Sequence, residues 1–156
     1  MSLISFTSFK VGDTLLGIPS AQIMEVSRKA ELSRLPFSAP HVLGLINLRG
    51  TLAVGIDLAK CLQINSNDSI ASLWVFTQAH QCLLALKVDA VCDIHAVAAE
   101  ELSPAPVGMD GHMGRIVSET VVLKNNLMHV IALNEIPLQS LAPGDSVLSL
   151  PSRKAA

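Results

Sequence analysis

The sequence is poor in aromatic and charged residues. Tyrosine is absent, aromatic residues make up only 3% of the 156 residues, and charged residues make up 15%. The few aromatic side chains provide no stacking platform for bases, and the scattered Lys and Arg residues form no cluster that could neutralise phosphates. Together with a formal net charge of −2, these shortages argue against a nucleic-acid-binding protein.

Long uncharged apolar runs are also missing. No run approaches the roughly 18 residues that a membrane-spanning helix needs. The first thirteen residues, MSLISFTSFKVGD, lack a basic region and a small-residue cleavage site, so no secretory signal is expected. The three cysteines, Cys61, Cys82 and Cys92, are an odd number, and they are predicted to be reduced, buried thiols of a cytosolic protein.

Apolar residues, in contrast, make up half of the chain. They are sufficient for a large core, but they leave little charge for the surface. An apolar patch is therefore expected to remain exposed, and such a patch usually binds another protein. The length fits one domain, or two small barrels that share a core.

Short apolar segments separated by turn signals recur along the chain, and they predict an all-β barrel or sandwich. Hairpins are expected at residues 3–18, 43–58, 72–88 and 115–133, with turns at Gly12-Asp13, at Arg49-Gly50, at residues 78–81 and at Asn125-Asn126. Helical patterns are short and fall at residues 59–64, 96–102 and 134–141. Residues 104–114 are rich in Pro and Gly and are predicted to form an irregular loop.

Two of these hairpins end in an aspartate, Asp57 in GIDL and Asp89 in KVDAV. This similarity predicts two similar half-barrels. Each aspartate is expected to cap local backbone N–H groups or to pair with a basic side chain. The alternative is a pair of carboxylates for acid–base chemistry, in which neighbouring groups shift each other's pKa.

No catalytic pattern accompanies the five histidines. The sequence contains no G-x-S-x-G, HExxH or Walker motif. Cys92 and His95 have C-x-x-H spacing, but a structural zinc site needs four ligands and no second pair is present. The sequence therefore predicts no enzyme, cofactor or metal, and a hydrolase or metal enzyme built on Cys92 and His95 is an alternative to be tested.

A polar island, Asn47-Leu48-Arg49-Gly50, interrupts the most apolar stretch of the chain, residues 40–62. Because Gly adopts positive φ without steric cost, Arg49 and Gly50 are expected to form the turn of a hairpin. From these residues alone, Arg49 is either a solubilising cation or a side chain held out to bind a partner.

The string GLINLRGTLAVGIDL, preceded by IMEV at residues 23–26 and by Leu35-Pro36, resembles the CheW-like domain of bacterial chemosensory adaptors. The resemblance covers residues 3–141 and includes matches to the family pattern at Gly44, Asn47, Leu48, Arg49, Gly50, Asp57, Leu58, Val88, Asp89 and Val91. Val54 and Gly55 replace the proline and valine that are usual there, and Ala85 replaces a usual glycine. These departures suggest a divergent member, one that serves a pilus or another non-flagellar array.

The resemblance implies an all-β fold of two small five-stranded, SH3-like β-barrels that share a hydrophobic core. Short helices are expected, including one near the C-terminus. A single CheW-like domain would cover residues 1–142, and residues 143–156 would be a flexible tail.

The resemblance also implies a non-enzymatic, cytoplasmic scaffold without a cofactor. It would couple the cytoplasmic tip of transmembrane chemoreceptors to the regulatory domain of a CheA-type histidine kinase, with other CheW-like domains as further partners. Neither nucleic acid nor direct membrane insertion is expected. The receptor would bind at Ile23, Glu25, Gly44, Asn47 and Arg49, with apolar contact from Ile23 and the surface of residues 42–46. The alternative is a small β-barrel module that binds a small ligand or an oligonucleotide.

Overall fold

The computed structural model describes residues 2–36, 39–65, 72–79, 81–105, 111–124 and 126–138. These residues form the strands β1 Leu3–Val11, β2 Thr14–Pro19, β3 Ile23–Ser27, β4 Leu32–Ser33, β5 Val42–Leu48, β6 Thr51–Asp57, β7 Leu73–Ala79, β8 Cys82–Val88, β9 Ala90–Ala98, β10 Ser103–Pro104, β11 Val117–Leu123 and β12 Asn126–Ile131. The two short α-helices are α1 Leu58–Leu62 and α2 Gly111–Ile116. Single 3₁₀ turns lie at Ser20–Gln22, Ala99–Glu101 and Leu133–Glu135.

The strands form two six-stranded sheets of related topology. The first sheet has the order β10-β11-β12-β2-β1-β9, and the second has the order β3-β7-β8-β6-β5-β4. In each sheet one parallel pair, β12 with β2 or β6 with β8, joins two antiparallel hairpins. Each sheet contains five strands of five or more residues and one strand of two. The predicted all-β fold of two five-stranded subdomains is therefore confirmed, with a two-residue strand added to each.

Three clusters of buried side chains hold these sheets together. One cluster, which includes Phe6 and Met128, lies within the first sheet, and another, which includes Phe76, lies within the second. The largest cluster takes Leu16 from the first sheet and Leu84 from the second, so the two subdomains share a core as expected. Each fully buried side chain of this kind contributes about 1.5–3 kcal/mol through removal of its surface from water.

The helical predictions are confirmed only in part. Only Ala99–Glu101 of the helix predicted at residues 96–102 is helical, as a 3₁₀ turn, because β9 extends to Ala98 and its ladder hydrogen bonds with β1 outweigh the helix propensity of its alanine residues. The predicted helix near the C-terminus is a 3₁₀ turn at Leu133–Glu135. The predicted loop at residues 104–114 is wrong at its end, because α2 begins at Gly111. Residues 80, 106–110, 125 and 139–156, which include parts of two predicted turns and the predicted tail, lie outside the described residues.

Both aspartates that end hairpins accept backbone hydrogen bonds, Asp57 from a local N–H group as predicted and Asp89 from an N–H group distant in sequence. Asp57 is buried, and its Oδ1 accepts a hydrogen bond of 3.3 Å from the backbone N–H of Lys60 at the start of α1. Asp89 Oδ2 accepts a hydrogen bond of 2.7 Å from the N–H of Gly12, which ties the β1–β2 turn to the end of β8. The two hairpins that end in these aspartates are parallel neighbours, so they are the two halves of the second sheet.

Removal of the Asp57 cap should destabilise the fold measurably. We expect Asp57→Ala to lower the free energy of unfolding by about 1–2 kcal/mol, since the N–H at the start of α1 loses its acceptor. Asp57→Asn retains an acceptor oxygen and should stay within about 0.5 kcal/mol of the native value. Urea denaturation measures both, and equal losses for the two variants would contradict the capping role.

Candidate partner-binding site

The turn between β5 and β6, hereafter the NLRG tip (residues 47–50), is a tight two-residue hairpin turn. Leu48 pairs with Thr51, and the two residues between them, Arg49 and Gly50, have positive φ values of 51° and 88°. Positive φ at both central positions is the signature of a type I′ turn. Asn47 Oδ1 accepts a hydrogen bond of 2.7 Å from the N–H of Gly50 and closes the turn. The predicted hairpin is confirmed, and a hydrogen bond within its tip closes it.

Arg49 has a left-handed backbone conformation, which glycine and asparagine adopt more readily than arginine. A non-glycine residue in the left-handed region costs about 1–2 kcal/mol, and Gly or Asn adopts it more readily. Arg49 nevertheless stands there with 80% of its side chain exposed. Backbone preference and core packing therefore do not account for the guanidinium at this position.

Glu25 on the edge strand β3 holds this guanidinium in place. Its Oε1 lies 2.8 Å from Nη1 of Arg49. The register between β3 and β7 shifts between Ile23 and Glu25, which indicates a β-bulge. A bulge in an edge strand changes the direction in which its side chains point. Exposed pairs of this kind contribute about 0.2–1 kcal/mol to stability, so the ion pair orients Arg49 more than it stabilises the fold.

The same ion pair shows that the second sheet is strongly curled. β3 is the first strand in its order, and the β6 and β5 strands that carry the tip are the fourth and fifth. At about 4.8 Å between neighbouring strands, a flat sheet would separate them by about 14–19 Å, too far for an ion pair with this geometry. Curling thus brings together two parts of the chain that form the candidate site.

Exposed apolar side chains occur on the strands that carry or flank this ion pair. Met24 and Val26, on the outer face of β3, are 59% and 42% exposed, and Leu52, which pairs with Asn47, is 49% exposed. Sequence analysis missed all three, although the alternation of β3 was a usable signal. The expected apolar surface of residues 42–46 is wrong in part, because Val42 and Ile46 fill the core clusters and are buried.

The remaining two predicted site residues have different surroundings. Ile23 is half-buried and packs against the shared core. Gly44 is buried and has a φ of 146°, and a Cβ atom there would lie 2.1 Å from the carbonyl oxygen of Ser33. The structure thus brings Glu25 together with Asn47 and Arg49 of the NLRG tip. Gly44 instead lies against β4, and its lack of a side chain leaves room for the backbone of that strand.

A groove of about 440 Å³, hereafter the inter-sheet groove, lies beside the start of β3. Its lining includes Ile4 and Leu102 from the first subdomain, Gln22 next to Ile23, Gln78 of the second sheet, and Glu119 and Glu135. Ile4 remains 38% exposed in it. The groove therefore combines an apolar wall with acidic and amide groups.

The residues proposed for metal or catalytic chemistry do not come together. The expectation of three buried thiols is wrong for two of them: Cys82 is half-buried, and Cys92 is exposed on β9, because β9 is an edge strand with an outward face. The Nε2 atom of His95 lies 3.0 Å from Ser8 Oγ.

Burial and the nearby Asp57 raise the pKa of the Cys61 thiol to about 12. Across the described part of the chain, no group of three His, Cys, Asp or Glu residues could hold a metal ion.

Comparison with known proteins identifies the family. The family model of the CheW-like domain matches residues 5–138, most of the chain. The chain belongs to the CheW-like domain family. The resemblance stated from the NLRG motif is thereby confirmed.

Named relatives of this CheW-like domain include chemotaxis proteins. The chain is 32% identical over 100 residues to the probable chemotaxis protein CheW of Rhizobium etli, a match that covers 64% of each chain and thus less than two thirds of that protein. It is 25% identical over 129 residues to the chemotaxis protein CheW of Bacillus subtilis, covering 82% of this chain and 83% of that one. It is 27% identical over 106 residues to protein FrzA of Myxococcus xanthus, covering 67% and 66%.

A solved structure shares the fold of this CheW-like domain. The scaffolding protein TtCheW of Thermoanaerobacter tengcongensis superposes with a TM-score of 0.78 at 20% identity, over 86% of this chain and 92% of that one.

The departures from the family pattern lie inside the second subdomain, where Gly55 and Ala85 pair and both are buried. They shape strands and leave the NLRG tip intact.

Proposed function

We propose that this CheW-like domain is a cytoplasmic, non-enzymatic coupling scaffold of a chemosensory array. It binds the cytoplasmic hairpin tip of chemoreceptors and the regulatory domain of a CheA-type histidine kinase. Membership of the CheW-like family and the similarity to named chemotaxis proteins support the adaptor role. Among the described residues, no helix is long and apolar enough to cross a membrane.

The observation that supports receptor binding is the Glu25–Arg49 ion pair at a hydrogen-bonded turn. A guanidinium has five N–H donors in a fixed fork, and Glu25 contacts Nη1. The other donors can bind a carboxylate of the receptor or the carbonyl groups at a helix end. Glu25 fixes the direction of Arg49 in advance, so less side-chain entropy is lost when the partner binds.

The apolar residues around the tip fit the same partner. A receptor hairpin presents amphipathic helices, and these bind an apolar surface that carries a few polar anchors. Met24, Val26 and Leu52 provide exposed apolar area, and the inter-sheet groove extends it beyond Ile23. We assign Ile23, Glu25, Asn47 and Arg49 to the receptor site, and we assign Gly44 to the support of that site.

The edge strands offer a second kind of contact. β3 and β4 end the second sheet, and β9 and β10 end the first. Unpaired backbone groups on such edges bind strands of another domain, so we place the kinase regulatory domain and further CheW-like domains there. The departures at Val54, Gly55 and Ala85 favour an array with a pilus-type or other non-flagellar output.

Reconstitution on receptor-containing membranes tests the proposal. We expect the kinase to sediment with the membranes only when this chain is present, and the chain itself to sediment with the receptor alone. Membranes without receptor are the control. Failure of the chain to sediment with receptors and kinases from its own cells would contradict the adaptor role. A thermal shift with a nucleotide or small ligand would instead favour the alternative binding module.

A further inference from the structure

β9 is the last strand of the first sheet, and among the described strands it pairs with β1 alone. Its free edge is apolar, because Ile94 is 70% exposed and Ala96 is exposed as well. Edge strands of soluble proteins often carry lysine or proline, which prevent pairing with another chain. Residues 90–98 contain neither of these residue types. The edge is therefore available to a further strand.

The hydrogen bonds of Asp93 show which backbone groups of β9 face outward. Its N–H donates to Oγ of Ser8, and the same hydroxyl donates to its carbonyl oxygen, both over 3.1 Å. Asp93 therefore directs its backbone toward β1. Backbone direction alternates from one residue of a strand to the next, so Ile94 and Ala96 direct their N–H and C=O groups away from β1.

This outward-facing part of β9 is limited at both ends. At one end the N–H of Ala98 donates to Oε1 of Glu101 over 2.9 Å, which agrees with the alternation and occupies the next outward donor. At the other end the register with β1 shifts at a β-bulge, where two residues of β9 lie opposite one of β1. The open edge thus consists of the donors and acceptors of Ile94 and Ala96.

We propose that the chain forms a two-fold symmetric dimer in which the β9 strands of two copies pair in antiparallel orientation. Ile94 of each copy lies opposite Ala96 of the other, and the two pairs form four backbone hydrogen bonds that use every donor and acceptor of the open edge. In this register Ala98 lies opposite Cys92, so the occupied donor of one copy meets the bulge of the other. The open edge complements itself, which favours a second copy over a longer strand of another protein.

The side chains of this edge also complement each other. Ile94 packs beside the small side chain of Ala96 from the other copy. On the other face of the strand the two His95 side chains lie opposite each other at the two-fold axis, and Asp93 of each copy lies diagonally across from one of them. Nε2 of His95 is bonded to Ser8 Oγ, which leaves Nδ1 for this carboxylate. With the described residues of its own chain, the Asp93 carboxylate makes no hydrogen bond or ion pair.

Sedimentation velocity of the full-length chain, without receptor or kinase, measures the dimer. We expect Ala96→Pro to raise the dimer dissociation constant about tenfold, since proline removes one outward donor from each copy but no hydrogen bond to β1. Ile94→Lys should have a similar effect, because it places a cation on each edge. Val122→Lys is the matched control: Val122 is 79% exposed on β11, away from the β9 edge, and this variant should dimerise as the native chain does.

A mixture of isotope-labelled and unlabelled copies tests the register. We expect nuclear Overhauser effects between the Hα protons of the two His95 residues, whose Cα atoms would be about 4.5 Å apart. Contacts between the two Ile94 residues instead would overturn this register. A native chain that stays monomeric at millimolar concentration, or a dimer that both Ala96→Pro and Ile94→Lys leave intact, would overturn the dimer itself.

The dimer rests on the part of the proposed function that places another CheW-like domain at the edge strands, and it needs neither receptor nor kinase. The two failures are therefore distinguishable. A monomeric chain that still sediments with receptor membranes would refute the dimer and support the adaptor role. A dimeric chain that does not sediment with them would contradict the adaptor role and leave the dimer standing.

Discussion

Arg49→Glu is expected to weaken receptor binding by about 2 kcal/mol or more, which is at least about thirtyfold in the dissociation constant. The change removes the exposed guanidinium and places an anion both at the tip and next to Glu25. The free energy of unfolding should change by less than about 1 kcal/mol, because an exposed ion pair contributes little to it. Titration of a soluble receptor hairpin and urea denaturation measure the two quantities.

Two matched variants separate contact with the partner from orientation within the chain. Arg49→Asn removes the charge but suits the left-handed backbone, so it should weaken binding without a cost in stability. The double variant Glu25→Arg, Arg49→Glu restores an ion pair of opposite polarity. If Arg49 contacts the receptor, the double variant binds as poorly as Arg49→Glu. Recovery of native binding by the double variant would show instead that the ion pair alone matters.

Gly44→Ala is expected to destabilise the protein by about 3 kcal/mol or more. Its Cβ atom would lie 2.1 Å from the carbonyl oxygen of Ser33, and the φ of 146° is itself unfavourable for alanine. Because the colliding atom belongs to the backbone of Ser33, β4 has to move away from β5. Such a shift disturbs the support of the NLRG tip, so we expect weakened receptor binding as a secondary effect.

Gly50→Ala is the matched control for Gly44→Ala. Gly50 also has positive φ, at 88°, but a Cβ atom there meets nothing within 4 Å. We expect a loss of about 1 kcal/mol, which reflects backbone conformation alone. Thermal denaturation and receptor titration of both variants distinguish the roles. A stable Gly44→Ala variant that fails to bind receptor would show that Gly44 contacts the partner directly.

The strands were predictable from the sequence because their signals are local. Alternation of apolar residues and the Gly, Asn and Asp turn residues located the hairpin at Arg49-Gly50 and the caps at Asp57 and Asp89. β9 was an exception, since its alanine residues favour helix and only pairing with β1 makes it extended. The exposure of Cys92 likewise depends on β9 being an edge strand, which no local pattern reports.

The candidate site was predictable in its residues but not in its assembly. The family motif pointed to Glu25 and Arg49 separately, and their ion pair follows from the curl of the second sheet. Gly44 matched the same family motif, but the structure shows a different reason for glycine there: a Cβ atom would collide with the backbone of Ser33. Val42 and Ile46 belong to a strand with little polar alternation, so the sequence could not say which residues of β5 face the core.

The parallel pairing of β2 with β12 sets the order in which the two subdomains can be completed during synthesis. The second sheet uses one continuous segment, from β3 to β8, whereas the first sheet uses strands from both sides of it, and Leu15 pairs with Met128. At a translation rate of 5–20 residues per second, the β1–β2 hairpin waits on the order of 10 s for that partner strand. The subdomain that contains the NLRG tip can therefore close first, and it then provides the shared-core surface on which the other is assembled.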